Sequence, residues 1–332
     1  MKRNSKYSLF LVCLLLLGAC EDSNKPSNTW THSHQGSVDA ALDKNGENAI
    51  IATSDRGTLF WDVKNKKVLY TFSHFANKES LHHIVRIAHA APVAITADDT
   101  SIASWNTRTG QSIASWTLPA PPLDIDLSTD GRFALIGFSD NKARIIDLQT
   151  GIAWKTFQHA DQVNAVALAQ NEEFALIGSD DTAARLWNLK TGEMSHQWFM
   201  PYKVTYVALS PNNQYALISS SQNSTEIRNV KTGGKVCDIT IRKSWIPTFF
   251  KAPLTISTAL FSENSQTLYT GSPPRNIRQW DVQSGKLINE WVIPNRYFLK
   301  PMPAVILALA TNQENILISE TSNGMGYQFL LE

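Results

Sequence analysis

The chain lacks the means for several common chemistries. It has only three cysteines, Cys13, Cys20 and Cys237, and no two of them stand at the spacing of a paired-cysteine metal site. It contains no Gly-x-Ser-x-Gly nucleophile elbow and no His-Glu-x-x-His pair. Lys231-Thr232-Gly233-Gly234-Lys235 lacks the register of a phosphate-binding loop. Charge is nearly balanced, with 30 basic and 29 acidic residues and a net charge of +1, so no electrostatic case for nucleic acid arises. The long apolar run is Leu9 to Leu17, well short of the ~20 residues that span a bilayer. The body also lacks sustained helical periodicity, which excludes a helix bundle.

What the chain does have is a repeat. Six hydrophobic or charged corner positions, Trp61, Trp105, Ile146, Trp187, Arg228 and Trp280, are each followed eleven residues later by Phe72, Trp116, Phe157, Trp198, Ile239 and Trp291. The corners lie 44, 41, 41, 41 and 52 residues apart. Between corner and partner comes a tight turn, as in Thr109-Gly110, Thr150-Gly151 and Thr191-Gly192, where glycine takes the positive φ that a hairpin needs. Upstream of each corner are two apolar runs separated by a polar turn, for example Val163 to Leu168 and Phe174 to Ile177. Each unit therefore reads as four short strands. A period of about 40 residues with four strands is the signature of a propeller blade.

The segment Ala160 to Met200, with Gly178-Ser179-Asp180-Asp181 and Arg185-Leu186-Trp187-Asn188, resembles a WD repeat, and the other units are similar from about Asn28 to the C-terminus. The resemblance implies an all-β, seven-bladed propeller of four-stranded antiparallel blades. It assigns His159 and His34 as structural histidines, and Asp181 and Asp55 as turn aspartates. Ile51 and Ile177 replace the family's buried serine or threonine, so neither blade is expected to complete its polar network. The seventh unit reaches its corner near Gln328 and ends before an outer strand. Trp30 precedes the first blade as Phe72 and Phe157 precede theirs, so the N-terminal strand should complete the last blade and remove an open sheet edge.

Residues 1–19 carry Lys2, Arg3 and Lys6, the apolar run, and then Leu17-Gly18-Ala19-Cys20. This resembles a bacterial lipoprotein signal, which implies cleavage before Cys20, lipidation of its thiol and attachment to a membrane. Loss of those three cations changes the charge from +1 to −2. Residues 20–28 are polar, include Pro26, and read as a flexible tether, with the propeller over 29–332. Glu21 follows the lipidated position, where an aspartate would resemble an inner-membrane retention signal, so the outer membrane is slightly favoured, with the protein facing the periplasm. Cys237 then stands alone, and no intrachain disulfide is expected; it reads as a small buried hydrophobe rather than a redox thiol.

Asp55, Asp99, Asp140 and Asp181 all lie six residues before a corner, which marks a turn role and not catalysis. His32, His34, His74, His82, His83 and His89 show no complete ligand spacing. No catalytic residue, cofactor or metal ligand is expected. The informative departures are two insertions. One, 242–251, contains Arg242, Lys243, Trp245, Phe249 and Phe250; the other, 294–301, contains Arg296, Tyr297 and Phe298; Arg275 lies in the turn between them. In an antiparallel blade the connections between blades and the turns between second and third strands share one face. These aromatic and basic residues therefore gather on one sector, either as a partner-binding surface or as caps over the blade tops.

Two function classes follow. The first is a non-enzymatic platform for an envelope protein or the cell-wall polymer. The alternative is a propeller that binds a small molecule or metal in its central channel, with or without catalysis, using inward polar residues such as Arg86, Asp124 and Asp126. Neither class sets an oligomeric state.

Overall fold

The computed structural model describes residues 24–73, 83–222, 224–240, 255–296 and 303–331. Among them lie twenty-eight strands in seven four-stranded antiparallel sheets. The chain opens with β1 (Asn28–Thr31). Blade 1 is β2 (Ser37–Leu42), β3 (Asn48–Thr53), β4 (Gly57–Asp62) and β5 (Lys67–Phe72). Blade 2 is β6 (Ile84–Ile87), β7 (Val93–Ala97), β8 (Ser101–Asn106) and β9 (Ser112–Thr117). Blade 3 is β10 (Pro122–Leu127), β11 (Phe133–Phe138), β12 (Lys142–Asp147) and β13 (Ala153–Gln158). Blade 4 is β14 (Val163–Leu168), β15 (Phe174–Ser179), β16 (Ala183–Asn188) and β17 (Met194–Phe199). Blade 5 is β18 (Val204–Leu209), β19 (Tyr215–Ser220), β20 (Ser224–Asn229) and β21 (Lys235–Asp238). Blade 6 is β22 (Thr258–Phe261), β23 (Thr267–Ser272), β24 (Asn276–Asp281) and β25 (Leu287–Val292), and blade 7 begins β26 (Ile306–Thr311), β27 (Ile316–Thr321), β28 (Met325–Leu330). The architecture is the expected seven-bladed β-propeller.

The last sheet runs β26-β27-β28-β1, so the N-terminal strand is the outer strand of blade 7. Asn28 pairs with Gln328, Thr29 with Tyr327, Trp30 with Gly326 and Thr31 with Met325. The corner of this blade is Phe329, which pairs with Leu317 as Trp61 pairs with Ala49, one residue beyond the position expected from the spacing.

The hairpins form for local reasons. In blade 2, Asn106 Oδ1 accepts the N–H groups of Arg108 (2.9 Å) and Thr109 (3.1 Å), and Gly110 closes the turn at φ 73°. The core lies between blades. Outer-strand aromatics pack on the corner of the following blade: Phe72 stacks on Trp105 at 4.8 Å between ring centroids, Phe157 meets Trp187 at 5.1 Å and Trp291 meets Phe329 at 6.2 Å. Corner and partner, eleven residues apart in one blade, thus face the two opposite neighbouring blades.

The corner indoles show what Ile51 and Ile177 cost. At the position they occupy, Thr96 accepts from Trp105 Nε1 (2.9 Å) and Thr270 from Trp280 Nε1 (2.8 Å). Trp61 Nε1 and Trp187 Nε1, beside the two isoleucines, are buried and meet no acceptor among the described residues. The incomplete network expected in these two blades is what forms.

Candidate functional site

The sheets present two faces. One carries the connections between blades and the second-to-third-strand turns; the other carries the remaining hairpins. Of the residues assigned to recognition, Arg242, Lys243, Trp245, Phe249, Phe250, Tyr297 and Phe298 lie outside the described residues, as does the lipidation candidate Cys20. Arg275 and Arg296 are described, and both lie on the connection face. Arg275 Nη1 donates to Ile293 O (3.0 Å), tying its turn to the end of β25. Arg296 Nη1 donates to Ser33 O (2.8 Å) and to Asn323 O, and its Nη2 lies 3.1 Å from His34 Nδ1. Its guanidinium bridges the exit of blade 6, a turn of blade 7 and the strand that closes the ring.

Two exposed aromatics on the same face were missed in the sequence reading. Phe199, at the end of β17, is 69% exposed, and Tyr202 in the next connection is 40% exposed. Phe199 follows the outer-strand partner Trp198, a place held by Thr31, Ser73, Thr117, Gln158, Thr240 and Val292 elsewhere. A large aromatic among smaller or polar counterparts was the available signal. Five of the assigned insertion residues belong to the connection after β21, the next one round the ring.

The channel is the second candidate. A cavity of about 300 Å³ is lined by the inner strands, including Asp39, Arg86, Asp124, Asp126 and Tyr206. Arg86 donates to Asp39 (2.8 Å), Asp124 (2.7 Å) and the carbonyl of Ile125 (2.6 Å). Asp39 accepts from Val85 N (3.0 Å), Asp124 from Val166 N (2.9 Å) and Asp126 from Leu168 N (2.7 Å). Tyr206 Oη accepts from Ala259 N (2.9 Å), and Ser257 Oγ donates to Ile306 O (2.7 Å). Each of these bonds reaches from one inner strand, or its lead-in, to the next blade, stitching blades 1 to 4 and 5 to 7. Burial pushes the carboxyls of Asp39 and Asp126 above the usual range and Tyr206 up to about 12. Burial works against the charge of Arg86, but Asp39 and then Asp124 outweigh it and raise its pKa. Arg86, Asp124 and Asp126 do come together as expected; Asp39 and Tyr206 complete the group. Their hydrogen-bonding capacity goes to joining blades.

The turn aspartates also serve structure. Asp181 accepts from Arg185 (2.8 Å) and from Ala183 N (3.0 Å), and Asp140 from Arg144 (2.6 Å). Burial pulls Asp181 upward, but hydrogen bonds from Ala183, Arg185 and Ala160 hold it below the usual carboxylate range, so at neutral pH it only accepts. In blade 2 the turn is made by Asp98, which takes the N–H groups of Thr100 (2.8 Å) and Ser101 (2.7 Å); Asp99, assigned from spacing, is exposed. The hairpin is one residue shorter here, since Ala94 pairs with Trp105 eleven residues on where Ala49 pairs with Trp61 twelve residues on, and this explains the shift.

His159 is buried, and its Nδ1 accepts from Arg185 Nη1 (2.7 Å) because a guanidinium can only donate. Burial, then Arg185, lowers its pKa to about 4. In the first blade the corresponding histidine is His32, two residues after Trp30 as His159 is two after Phe157. It is buried, whereas His34 is exposed and faces Arg296, so the expectation for His34 is corrected. Asp55, by contrast, takes its turn role through Ser33 Oγ (2.6 Å). Cys237 is half-buried, donates to Val282 O (3.2 Å), and has its thiol pushed up to about 11 by burial and then by Asp238 and Asp281. That keeps it a thiol at neutral pH. Among the described residues no group of three or more His, Cys, Asp or Glu side chains could hold a metal ion; His74 and His82 lie outside them.

Residues 153–188 match the family described as WD domain, G-beta repeat. The matched segment starts at β13, the outer strand of blade 3, and ends with β16 of blade 4. The sequence repeat is therefore offset by one strand from the blade, the same offset by which β1 closes blade 7. No curated protein matches the chain in sequence. The chain is a seven-bladed propeller carrying a WD40 repeat, an architecture that typically serves as a protein-interaction scaffold.

Proposed function

We propose that the protein is a non-enzymatic interaction platform of the bacterial envelope, anchored by lipid at Cys20 and facing the periplasm. The observation that carries the address is the basic start, the nine-residue apolar run and Leu17-Gly18-Ala19-Cys20, followed by a polar tether. Recognition falls to the connection face between blades 4 and 7, where Phe199 and Tyr202 stand exposed; Trp245, Phe249, Tyr297 and Phe298, outside the described residues, belong by chain order to the connections after β21 and β25. The fold supports this orientation. β1 runs toward the connection face, so Asn28 sits at the hairpin face, and the tether leaves from the side opposite the aromatic sector. Eight residues from Cys20 to Asn28 span at most ~29 Å when extended. The partner is an envelope protein or the cell-wall polymer.

Attachment is tested by fractionation. Cys20→Ala, with the signal removed by other means, should leave a folded and soluble propeller, because acyl chains contribute ~0.8 kcal/mol per buried methylene and the ring surface does not replace them. Retention of that variant in the membrane fraction would show a different anchor. For recognition, replacing Trp245, Phe249, Tyr297 and Phe298 with Ser should leave the melting temperature nearly unchanged while abolishing recovery of the crosslinked partner. If these residues are caps, each truncation costs ~3–5 kcal/mol and the domain unfolds. Partner recovery with unchanged stability would remove this sector as the recognition site.

A further inference from the structure

The ring-closing blade differs from the other six at one buried position. The fifth residue of the second strand is Ala52, Ala97, Gly137, Gly178, Ser219 and Gly271 in blades 1 to 6. Space there is short: a Cβ on Gly137 would lie 2.7 Å from Val163 Cγ1 of the next blade. Blade 7 places Glu320 at this position, and it is fully buried. Its carboxyl lies toward the closing strand across Gly326, which pairs with Trp30 on one side and Glu320 on the other and leaves room for the indole.

Glu320 Oε1 accepts from Trp30 Nε1 (3.1 Å), and Oε2 lies 3.5 Å from His32 Nδ1. His32 Nε2 is 3.1 Å from Ser37 Oγ. Oε2 and Nδ1 face each other, buried, with no hydrogen bond to any other described residue. Such a pair needs a proton between its two atoms, on the carboxyl or on Nδ1, and only a proton on the carboxyl leaves no charge buried there. The other titratable and charged groups nearby are Tyr327 on β28, Asp55 and Arg56 in blade 1, His34 and Arg296 on the approach, and Arg275 beside Tyr327. Arg56 and Arg296 donate to the carbonyls of His32 (3.1 Å) and Ser33 (2.8 Å), so the cations border His32 rather than Glu320.

We propose that one proton latches the ring: Glu320, as a neutral acid, donates to His32 Nδ1 and accepts from Trp30, and loss of that proton loosens the N-terminal strand. Burial raises the Glu320 carboxyl to about 8, against the pull of the Trp30 bond, and burial, then Arg296 and Arg56, lowers His32 to about 3. The closed pair therefore carries one proton from about 3 to about 8. Released into water, it carries two protons below 4.5, one from 4.5 to 6.5 and none above 6.5, the ordinary values for the two groups. Opening is thus proton-neutral between 4.5 and 6.5 and releases a proton above that. Closure weakens tenfold per pH unit from 6.5 to about 8 and then levels, roughly 30-fold in all. Below 4.5 opening takes up a proton and closure weakens again.

Hydrogen exchange of the β1 amides and of His32 N–H, which donates to Gly324 O (3.1 Å), reads the latch in the full chain. After correction for intrinsic exchange, the opening constant should rise roughly 30-fold between pH 6.5 and 9, while β15 amides show no such step. Glu320→Gln keeps an acceptor for Trp30 and a donor for His32 but cannot ionise, so its profile should be flat over the same range. In His32→Gln the loss should begin near pH 4.5, because only the carboxyl then titrates. A flat wild-type profile, or parallel profiles for wild type and Glu320→Gln, would overturn the latch; if Glu320→Gln does not fold, the wild-type and His32→Gln profiles decide alone.

Discussion

A chain that starts at Gly36 should melt roughly 10 °C lower than one that starts at Cys20, or aggregate on warming. The deletion removes β1 with Trp30, which is 4% exposed and packs with Trp61, Ile51 and Ile318 in the cluster joining blades 7 and 1. Truncating a buried tryptophan costs ~3–5 kcal/mol. The backbone groups of β28 that pair with Asn28 to Thr31 lose their partners, and Glu320 loses its indole donor. A loss of ~5 kcal/mol corresponds to that shift in a domain of this size. The exposed edge of β28 adds an aggregation hazard. Calorimetry with light scattering measures both effects. An unchanged melting temperature would mean that the ring does not depend on its N-terminal strand.

The second large effect concerns the channel. Arg86→Met should destabilise the propeller by ~3 kcal/mol or more at pH 7.5, because it leaves the partnered carboxylates Asp39 and Asp124 without their cation. The side chains of Arg86, Asp39 and Asp124 are only 27%, 18% and 21% exposed, so water restores part of the loss and not all of it. The pH dependence has a definite sign. Burial already raises Asp39, and loss of Arg86, the group that opposes this, raises it further. A carboxyl with a raised folded pKa contributes stability below its unfolded value of 3.8 that disappears as pH rises through the folded value. The variant should therefore recover stability relative to wild type between pH 7.5 and pH 4. Urea titrations at the two values check this, and Asp39→Asn in the Arg86→Met background should restore part of the loss at neutral pH. A penalty under ~1 kcal/mol at pH 7.5 would mean that the interblade bonds, rather than the charges, hold this region.

The channel also shows where reading the sequence stops. Arg86, Asp124 and Asp126 are conspicuous in the sequence because polar residues are rare on inner strands, which makes them candidate ligand contacts. What they touch was not readable: besides the ion pairs of Arg86 with Asp39 and Asp124, their partners are backbone N–H and C=O groups of a neighbouring blade about 40 residues away, groups that every residue has. The same limit separates His32 from His34. Both follow the closing strand, and only the register of Trp30 against Gly326 decides that His32 enters the core while His34 meets Arg296. Asp98 displaced Asp99 because counting back from a corner assumes a constant turn length, and one residue is enough to exchange a turn acceptor for an exposed side chain.

The sequence by itself determined the architecture, the blade count and the closing strand, because these rest on periodic burial: alternating strands, glycine turns and an aromatic at a fixed distance from each corner must recur if seven sheets are to pack alike. It also determined where the polar network fails, since Ile51 and Ile177 cannot accept a hydrogen bond wherever the chain places them. Only the tertiary structure decided which polar side chains join blades and which face water. It alone turned Glu320 from one acid among 29 Asp and Glu residues into a buried group between Trp30 and His32. Those contacts join residues 290 positions apart, and the free energy of a buried polar group depends on the partner it meets across that distance, not on its neighbours along the chain.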